Sequence, residues 1–377
     1  MRKPATRRLS MQALESRNLL AGNIIGNLIG TTLALGGDAA DNQLHVTEVA
    51  PNQIQVTGLT GTSINGAPSV LFAGQLIENV IIRTSSGDDT AVVENLSLSD
   101  TPNGNLLFFM SDGNDVVRMK NVTTTNSIRV HSGRQNDIVQ GKSISTQGTL
   151  LVETDLGDDT VALYRAKARN IEVDLQQGND HFSLYLGKSD NNISIDTGTE
   201  NDTTRLAYVQ AGNDINFASG DGNDHFGSYV LRAGNDVNVA TGDGFDNVHM
   251  NRTRANHDVN VFTGQESDRV HMNRTKASNH IVVDLGDGND LAIITNAKAH
   301  DVYFAAAGGN DYVEMKNIYA IDDLHVKMGT GNDEFKIRNS SALNPAFDGG
   351  PGYDTIHNLP NLFDEIAASV NFEVFIP

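Results

Sequence analysis

Thirteen aspartates recur along this 377-residue chain at a nearly constant interval: Asp89, Asp115, Asp137, Asp159, Asp180, Asp202, Asp224, Asp246, Asp268, Asp290, Asp311, Asp333 and Asp354. After a first gap of 26 residues, every gap is 21 or 22. Carboxylates are hard oxygen ligands, and calcium takes roughly six to eight such oxygens from carboxylates and backbone carbonyls. Most of these aspartates close a Gly-rich turn, such as Gly87-Asp88-Asp89, Gly113-Asn114-Asp115, Gly220-Asp221-Gly222-Asn223-Asp224 and Gly286-Asp287-Gly288-Asn289-Asp290. Glycine lets carbonyls turn toward a common point. The extra acids Asp221, Asp243 and Asp287 favour an ion. A second use of the same residues needs no ion: each Asp accepts backbone N–H bonds in an Asx-type turn.

The elements that would bring these residues together follow from the period. A repeat of this size is the signature of a solenoid, in which each repeat is one coil stacked on the last. Within a coil, alternation of period two marks strands. Val248 and Met250 follow Asp246 at offsets of two and four, as do Val117 and Met119, Val161 and Leu163, Phe182 and Leu184, and Val313 and Met315 in their coils. A second alternating run precedes the next marker: Val259 and Val261, Ile171 and Val173, Ile193 and Ile195, Val237 and Val239, Ile281 and Val283. The fold class is therefore all-β, a parallel β-helix of about thirteen coils, right-handed by the usual chirality of parallel crossings. At about 4.8 Å per coil it is about 60 Å long. Two carboxylates at that spacing repel by about 3–4 kcal/mol at an effective dielectric near 20. A file of them requires cations, raised pKa values or strong hydrogen bonds.

Two further columns share the register. Ala168, Ser189, Ala211, Ala233, Ala255, Ala277, Ala299 and Ala320 stand nine residues after a marker, where a small side chain suits a sharp bend. One residue earlier runs a basic column, Lys167, Lys188, Arg232, Arg254, Lys276 and Lys298. The hexapeptide Val-His-Met-Asn-Arg-Thr occurs at 248–253 and 270–275, stacking His249 on His271 and Arg252 on Arg274. It reads either as an anion or acidic-sugar site beside the basic column or as a duplicated repeat with outward polar side chains, and the second is the expectation.

Residues 23–86 are less regular and read as an N-terminal β cap. Strands are expected at Leu44–Val46, Ile54–Val56 and Val80–Ile82, with a hairpin turn at Asn65-Gly66. Residues 87–357 form the solenoid and 358–377 a C-terminal cap, because an uncovered end coil exposes a pairing edge. Residues 1–22 hold five basic side chains and one acid, so the rest carries 22 basic and 46 acidic residues, net −24. Such a body is a poor nucleic-acid binder and a plausible cation binder. No segment reaches the roughly 20 apolar residues of a membrane span. The absence of cysteine excludes disulfides and thiolate metal sites.

Two resemblances add to this. The N-terminal Arg7-Arg8-Leu9 and Leu14-Glu15-Ser16-Arg17-Asn18-Leu19-Leu20-Ala21 resemble the surface-sorting motif of planctomycete proteins, with Ser16 in place of the usual Pro. The resemblance implies export or cell-surface placement. The Gly-rich turns resemble the hemolysin-type calcium-binding (RTX-like) repeat, Gly-Gly-x-Gly-x-Asp followed by an apolar strand residue. The best matches are 220–224, 242–246, 286–290, 329–333 and 349–354. That resemblance implies calcium at Asp89, Asp115, Asp159, Asp180, Asp221, Asp224, Asp243, Asp246, Asp287, Asp290, Asp311, Asp333 and Asp354. With one motif per coil it implies one calcium edge. The turns before Asp137, Asp202 and Asp268 lack the second Gly and are left out. The expected function is a non-catalytic, exported structural or adhesive protein, with calcium and cell-envelope polysaccharide as candidate partners and no nucleic acid. The alternative is a β-helix lyase or hydrolase acting on an acidic polysaccharide. Such an enzyme needs a local break in the repeat with clustered carboxylates. The even spacing from Asp115 to Asp354 leaves no room for one.

Overall fold

The computed structural model describes residues 22–100, 102–358 and 368–376, and among them only strands, bridges, turns and bends occur. The basic leader lies outside the described residues. Each period is one coil. Around Asp246, Val237–Ala240 lies in one sheet, the Gly-rich turn follows, and Asn247–Ala255 lies in the other sheet. A second turn at Asn256, His257 and Asp258 then leads back to Val259–Phe262 in the first sheet. Coils stack in parallel and in register, Val237 on Val259 and Val239 on Val261 in one sheet, Val248 on Val270 and Met250 on Met272 in the other. The alternation read from the sequence is the burial pattern observed, with Val248, Met250, Val259 and Val261 fully enclosed. The core is thus a file of apolar side chains between two sheets, and each coil covers only its neighbours.

The alanine column ends the second strand just before the second turn, as Ala255 does. A further bend, not read from the sequence, falls earlier in that sheet, six residues after each of the first twelve markers. Asn95, Asn121, Ser143, Arg165, Leu186, Tyr208, Val230, Arg252, Arg274, Asn296, Asn317 and Asn339 all hold φ between 49° and 62°. One left-handed residue shifts the in-out alternation by one place. In Asn247–Ala255 the buried positions are therefore Val248, Met250, Thr253 and Ala255. Ala211, Ala233 and Ala255 point inward beyond the bend, at the end of the coil, where little room is left. Asn, the residue that adopts the left-handed region most readily after Gly, occupies five of these twelve positions.

At the N-terminal end, Thr32–Gly37 stacks parallel on Asn79–Arg83, and Gln43–Ala50 stacks parallel on Thr90–Leu98, so residues 32–50 already wind one coil. Antiparallel strands cover it: Asn23–Ile29 on Thr32–Gly37, and Gln53–Gly58 on Gln43–Ala50, followed by Ser69–Phe72. This hides the open edge that a parallel stack would otherwise present. The three expected strands are present within Gln43–Ala50, Gln53–Gly58 and Asn79–Arg83. Asn65 and Gly66 form the tight turn, with φ of 51° and 78°, closing a bridge between Ile64 and Ala67. At the other end, Ala368–Val370 and Val374–Ile376 stack on Asn344–Asp348 and Thr355–Asn358 and continue the solenoid.

Candidate functional site

All thirteen marker aspartates fall in one column at the Gly-rich corner, and all are at most 2% exposed. Their side chains point into the coil. Each Oδ1 accepts the backbone N–H of the marker in the coil before, at 2.6–2.9 Å: Asp89 donates to Asp115, Asp202 to Asp224, Asp246 to Asp268, and so on to Asp354. Asn42 begins the ladder by donating to Asp89, and Asp354 ends it by donating to Glu373 Oε2. The Asx-type hydrogen bond is thus built into every coil.

It uses one carboxylate oxygen of two. The Oδ2 atom of every marker is buried without a hydrogen-bond partner. Hydroxyls five residues before several markers lie close enough to favour the ionised form of Asp137, Asp159, Asp202, Asp224, Asp246 and Asp268. Four of them donate to backbone instead: Thr154 to the Leu175 carbonyl, Ser219 to Thr241, Thr241 to Thr263 and Thr263 to Leu285. No Oδ2 atom receives a hydrogen bond in this arrangement, and Ser132 and Thr197, themselves without a partner, are the hydroxyls free to turn toward Asp137 and Asp202.

Burial is the largest influence on each carboxyl, and it raises them all. Asp115, Asp180 and Asp268 are pushed up to about 8. Asp137, Asp202, Asp224 and Asp311 reach about 7, and Asp159, Asp290 and Asp333 about 6. Asp89, Asp246 and Asp354 are raised in the same sense. The N–H bond from the preceding coil opposes the shift, and repulsion between neighbouring carboxylates adds a smaller part. The sequence alone suggested repulsion as the difficulty; loss of water is the larger one.

Oxygens suited to a cation line this corner. A Cβ on Gly222 would stand 1.9 Å from the Glu200 carbonyl oxygen and 3.2 Å from Asp224 Oδ1. A Cβ on Gly244 would stand 1.7 Å from the Gly222 carbonyl oxygen. The carbonyl two residues before each of these markers is thus aimed at the next coil, beside the carboxylates. Orphaned Oδ2 atoms and a file of carbonyls form a hard-oxygen set of the kind calcium takes.

The structure draws no line around the turns that lack the second Gly. Gln135, Glu200 and Glu266 hold φ of 78°, 77° and 74° where Gly222 and Gly244 hold 157° and 148°. The side-chain-bearing residues settle in the left-handed region, and Asp137, Asp202 and Asp268 keep the same ladder bond. Asp221, Asp243 and Asp287, in contrast, are exposed on the outside of the turn. Asp243 there receives the Gln265 backbone and side-chain N–H groups. The residue before the marker was not read as functional, yet it forms an outer ladder: Asn223 donates its backbone and side-chain N–H to Asn201 Oδ1, and Asn332 does the same to Asn310. The recurring Asn-Asp dipeptide was its signal.

The other turn carries a ladder that spacing alone did not reveal. Asp236 N–H donates to Asp214, Asp258 to Asp236, His280 to Asp258 and Asp323 to Asp301. Imidazoles interleave with it. His257 Nδ1 lies 3.0 Å from both Asp236 and Asp258. His280 spans Asp258 and Asp301 at 3.2 and 3.3 Å, and His300 meets Asp301 at 2.9 Å. Burial would raise Asp301, but the Asp323 N–H and the His300 and His280 rings outweigh it and hold Asp301 below the usual carboxylate range.

No protein-family model matches the chain, and no curated protein matches it. Among solved structures, a hyperactive, Ca2+-dependent, β-helical antifreeze protein from an Antarctic bacterium is similar, with a TM-score of 0.46 and 22% identity over 72% of this chain and 79% of that one. The likeness is too distant to bear on function.

Proposed function

We propose that this chain is a non-catalytic, exported structural β-solenoid whose aspartate corner binds calcium. The observation that carries the reading is the column of thirteen buried Oδ2 atoms without a donor. A buried carboxylate oxygen must take a proton or a cation, and burial has already made the ionised form costly. The marker Oδ2 atoms would help hold a bound calcium, and the Oδ1 acceptors of the ladder need not be broken for it. Ions that bind only the folded chain stabilise it, by about 2.7 kcal/mol for a site at a hundred times its Kd. The same burial supports a non-catalytic corner, since no substrate reaches side chains at most 2% exposed. Export and a place at the cell surface rest on the N-terminal motif, and an RTX-like origin on the Gly-rich turns.

The test is thermal melting of the full chain by circular dichroism at about pH 8, after EDTA treatment and then with Ca2+ or Mg2+ added. The expected result is a rise in Tm with Ca2+ of about 5 °C or more. A double variant, Asp224→Asn with Asp246→Asn, keeps both Oδ1 acceptors and replaces the bare Oδ2 atoms by amide N–H groups. It is expected to fold and to bind less calcium by titration calorimetry. An unchanged Tm on adding Ca2+ to the wild-type chain sinks the proposal.

A further inference from the structure

At the left-handed bend the solenoid carries a groove of about 680 Å³ whose lining includes Arg232, Arg252, Arg254, Arg274 and Lys276 and contains no acidic residue. In a chain of net charge −20 this is a marked local reversal. None of the five cations is in an ion pair among the described residues. All five are exposed. They stand in two files. Arg232, Arg254 and Lys276 are stacked in successive coils, by strand pairing and then by a bridge. Arg252 and Arg274 lie two residues before Arg254 and Lys276, with spacing of about 4.8 Å between coils.

The second file has a backbone cost. Arg252 and Arg274 hold φ of 62° and 58°, in the column where Asn stands in five other coils. A residue with a long side chain gains nothing there in local conformation.

Next to the groove runs a row of aromatic rings. Tyr164 stacks flat on Tyr185 with centroids 5.3 Å apart, and Tyr185 with Tyr208 and Tyr208 with Tyr229 meet edge-on at 5.6 and 5.3 Å. The row ends where the groove begins, with the Arg252 guanidinium 5.3 Å from the Tyr229 ring centre. Tyr185 and Tyr208 are 41% and 44% exposed. Rings of this kind offer flat apolar faces with a polar tip.

We propose that this face binds a linear anionic glycan lying along the solenoid axis, its carboxylate or sulfate groups on the two arginine files and its sugar faces on the tyrosine row. Guanidinium groups pair with carboxylate and sulfate through two parallel N–H donors. The C–H faces of sugar rings pack on the phenol rings. A nucleic acid offers phosphates and flat bases to the same groups, but its dense charge meets the field of a strongly acidic body. A uronate or sulfated chain offers, besides its anionic groups, C–H ring faces for the tyrosine row. The inference is independent of calcium at the aspartate corner, because the groove lies at the bend, on other residues.

The experiment is titration calorimetry of the full, calcium-loaded chain at low salt. The probes are a short oligogalacturonate, a heparin-derived oligosaccharide of matched charge, a neutral dextran oligomer and single-stranded DNA of matched charge. The variant is Arg252→Asn with Arg274→Asn, which installs the residue that the same column holds at Asn296 and Asn317. Its Tm should match the wild type, so a change in binding is not a change in folding. The expected result is binding of at least one anionic glycan and none of dextran, with affinity lower by about tenfold or more in the variant. The oligogalacturonate and heparin arms separate a carboxylate from a sulfate ligand. No binding of either anionic glycan, or equal binding by wild type and variant, overturns the proposal. Tighter binding of the DNA than of both glycans overturns the glycan assignment.

Discussion

At the Gly-rich corner, Asp202 N–H donates to Asp224 in the coil ahead; at the other turn, Asp258 N–H donates to Asp236 in the coil behind. The bond is the same and the surroundings differ. The first column is sealed inside the coil, each carboxylate has one bare oxygen, and burial raises every pKa. The second is half-buried, except at Asp301, which is 8% exposed; its carboxylates meet His257, His280 and His300, and Asp301 is held low. A side-chain–backbone ladder along a solenoid therefore does not decide the charge of its members. Access to water and to counter-charges decides it. The inner column is poised to take protons or calcium, and the carboxylates at the other turn already have imidazole and backbone N–H neighbours in place.

The largest expected effect of that contrast is on pH dependence. In the unfolded chain the inner carboxyls titrate near 3.8; in the folded chain ten of the thirteen are raised to about 6 to about 8, and Asp89, Asp246 and Asp354 are raised in the same sense. The folded state then holds more protons across this interval, so stability from this column is full below about pH 4 and is lost as pH rises through about 6 to 8. After EDTA, Tm should fall steadily between about pH 5 and about pH 8. Calcium should flatten the curve by occupying the corner once the protons leave. A calcium-free Tm that rises over the same range would show that the inner column does not govern stability.

Single substitutions sharpen the comparison. Asp224→Ala removes the acceptor of the buried Asp202 N–H, and an orphaned buried donor costs about 1–3 kcal/mol. Asp236→Ala removes the acceptor of Asp258 N–H in the half-exposed ladder, where water can replace it, and should cost about 1 kcal/mol or less. Urea melts of both variants measure the difference. Equal losses would mean that the two corners are sealed alike.

Much of this architecture was legible in the sequence, for a physical reason. A solenoid repeats one environment many times, so a requirement such as a buried acceptor at the corner is written thirteen times in register. The two strands per coil were readable because inward positions alternate with outward ones, as at Val248 and Met250. The left-handed bend was not, because its column holds Asn95, Leu186, Tyr208, Val230 and Arg252 alike. Stacking on neighbouring coils imposes that conformation, and local propensity does not announce it. The ladder at the other turn was obscured because Asn192, Asp214, Asp236, Asp258, His280 and Asp301 change type from coil to coil. Only the stacked geometry shows that they share one task.

The smallest expected effect lies in that ladder. Asp301→Asn keeps an oxygen to receive the Asp323 N–H but removes the charge facing His280 and His300. Because Asp301 is held below its ordinary pKa, its contribution is present above the unfolded value and is lost as pH falls through the folded one. The variant should therefore lose about 1 kcal/mol at neutral pH, since a hydrogen bond to a charged acceptor is stronger than one to a neutral amide oxygen. The loss should shrink toward zero in strong acid, where the wild-type carboxyl is neutral too. The inner column predicts the opposite trend, since neutralising its members stabilises at neutral pH and changes nothing in acid. Melting curves of Asp301→Asn and of the Asp224→Asn, Asp246→Asn double variant, recorded without calcium in acid and at about pH 8, compare the two directly. Parallel pH trends in the two variants would remove the distinction between the corners.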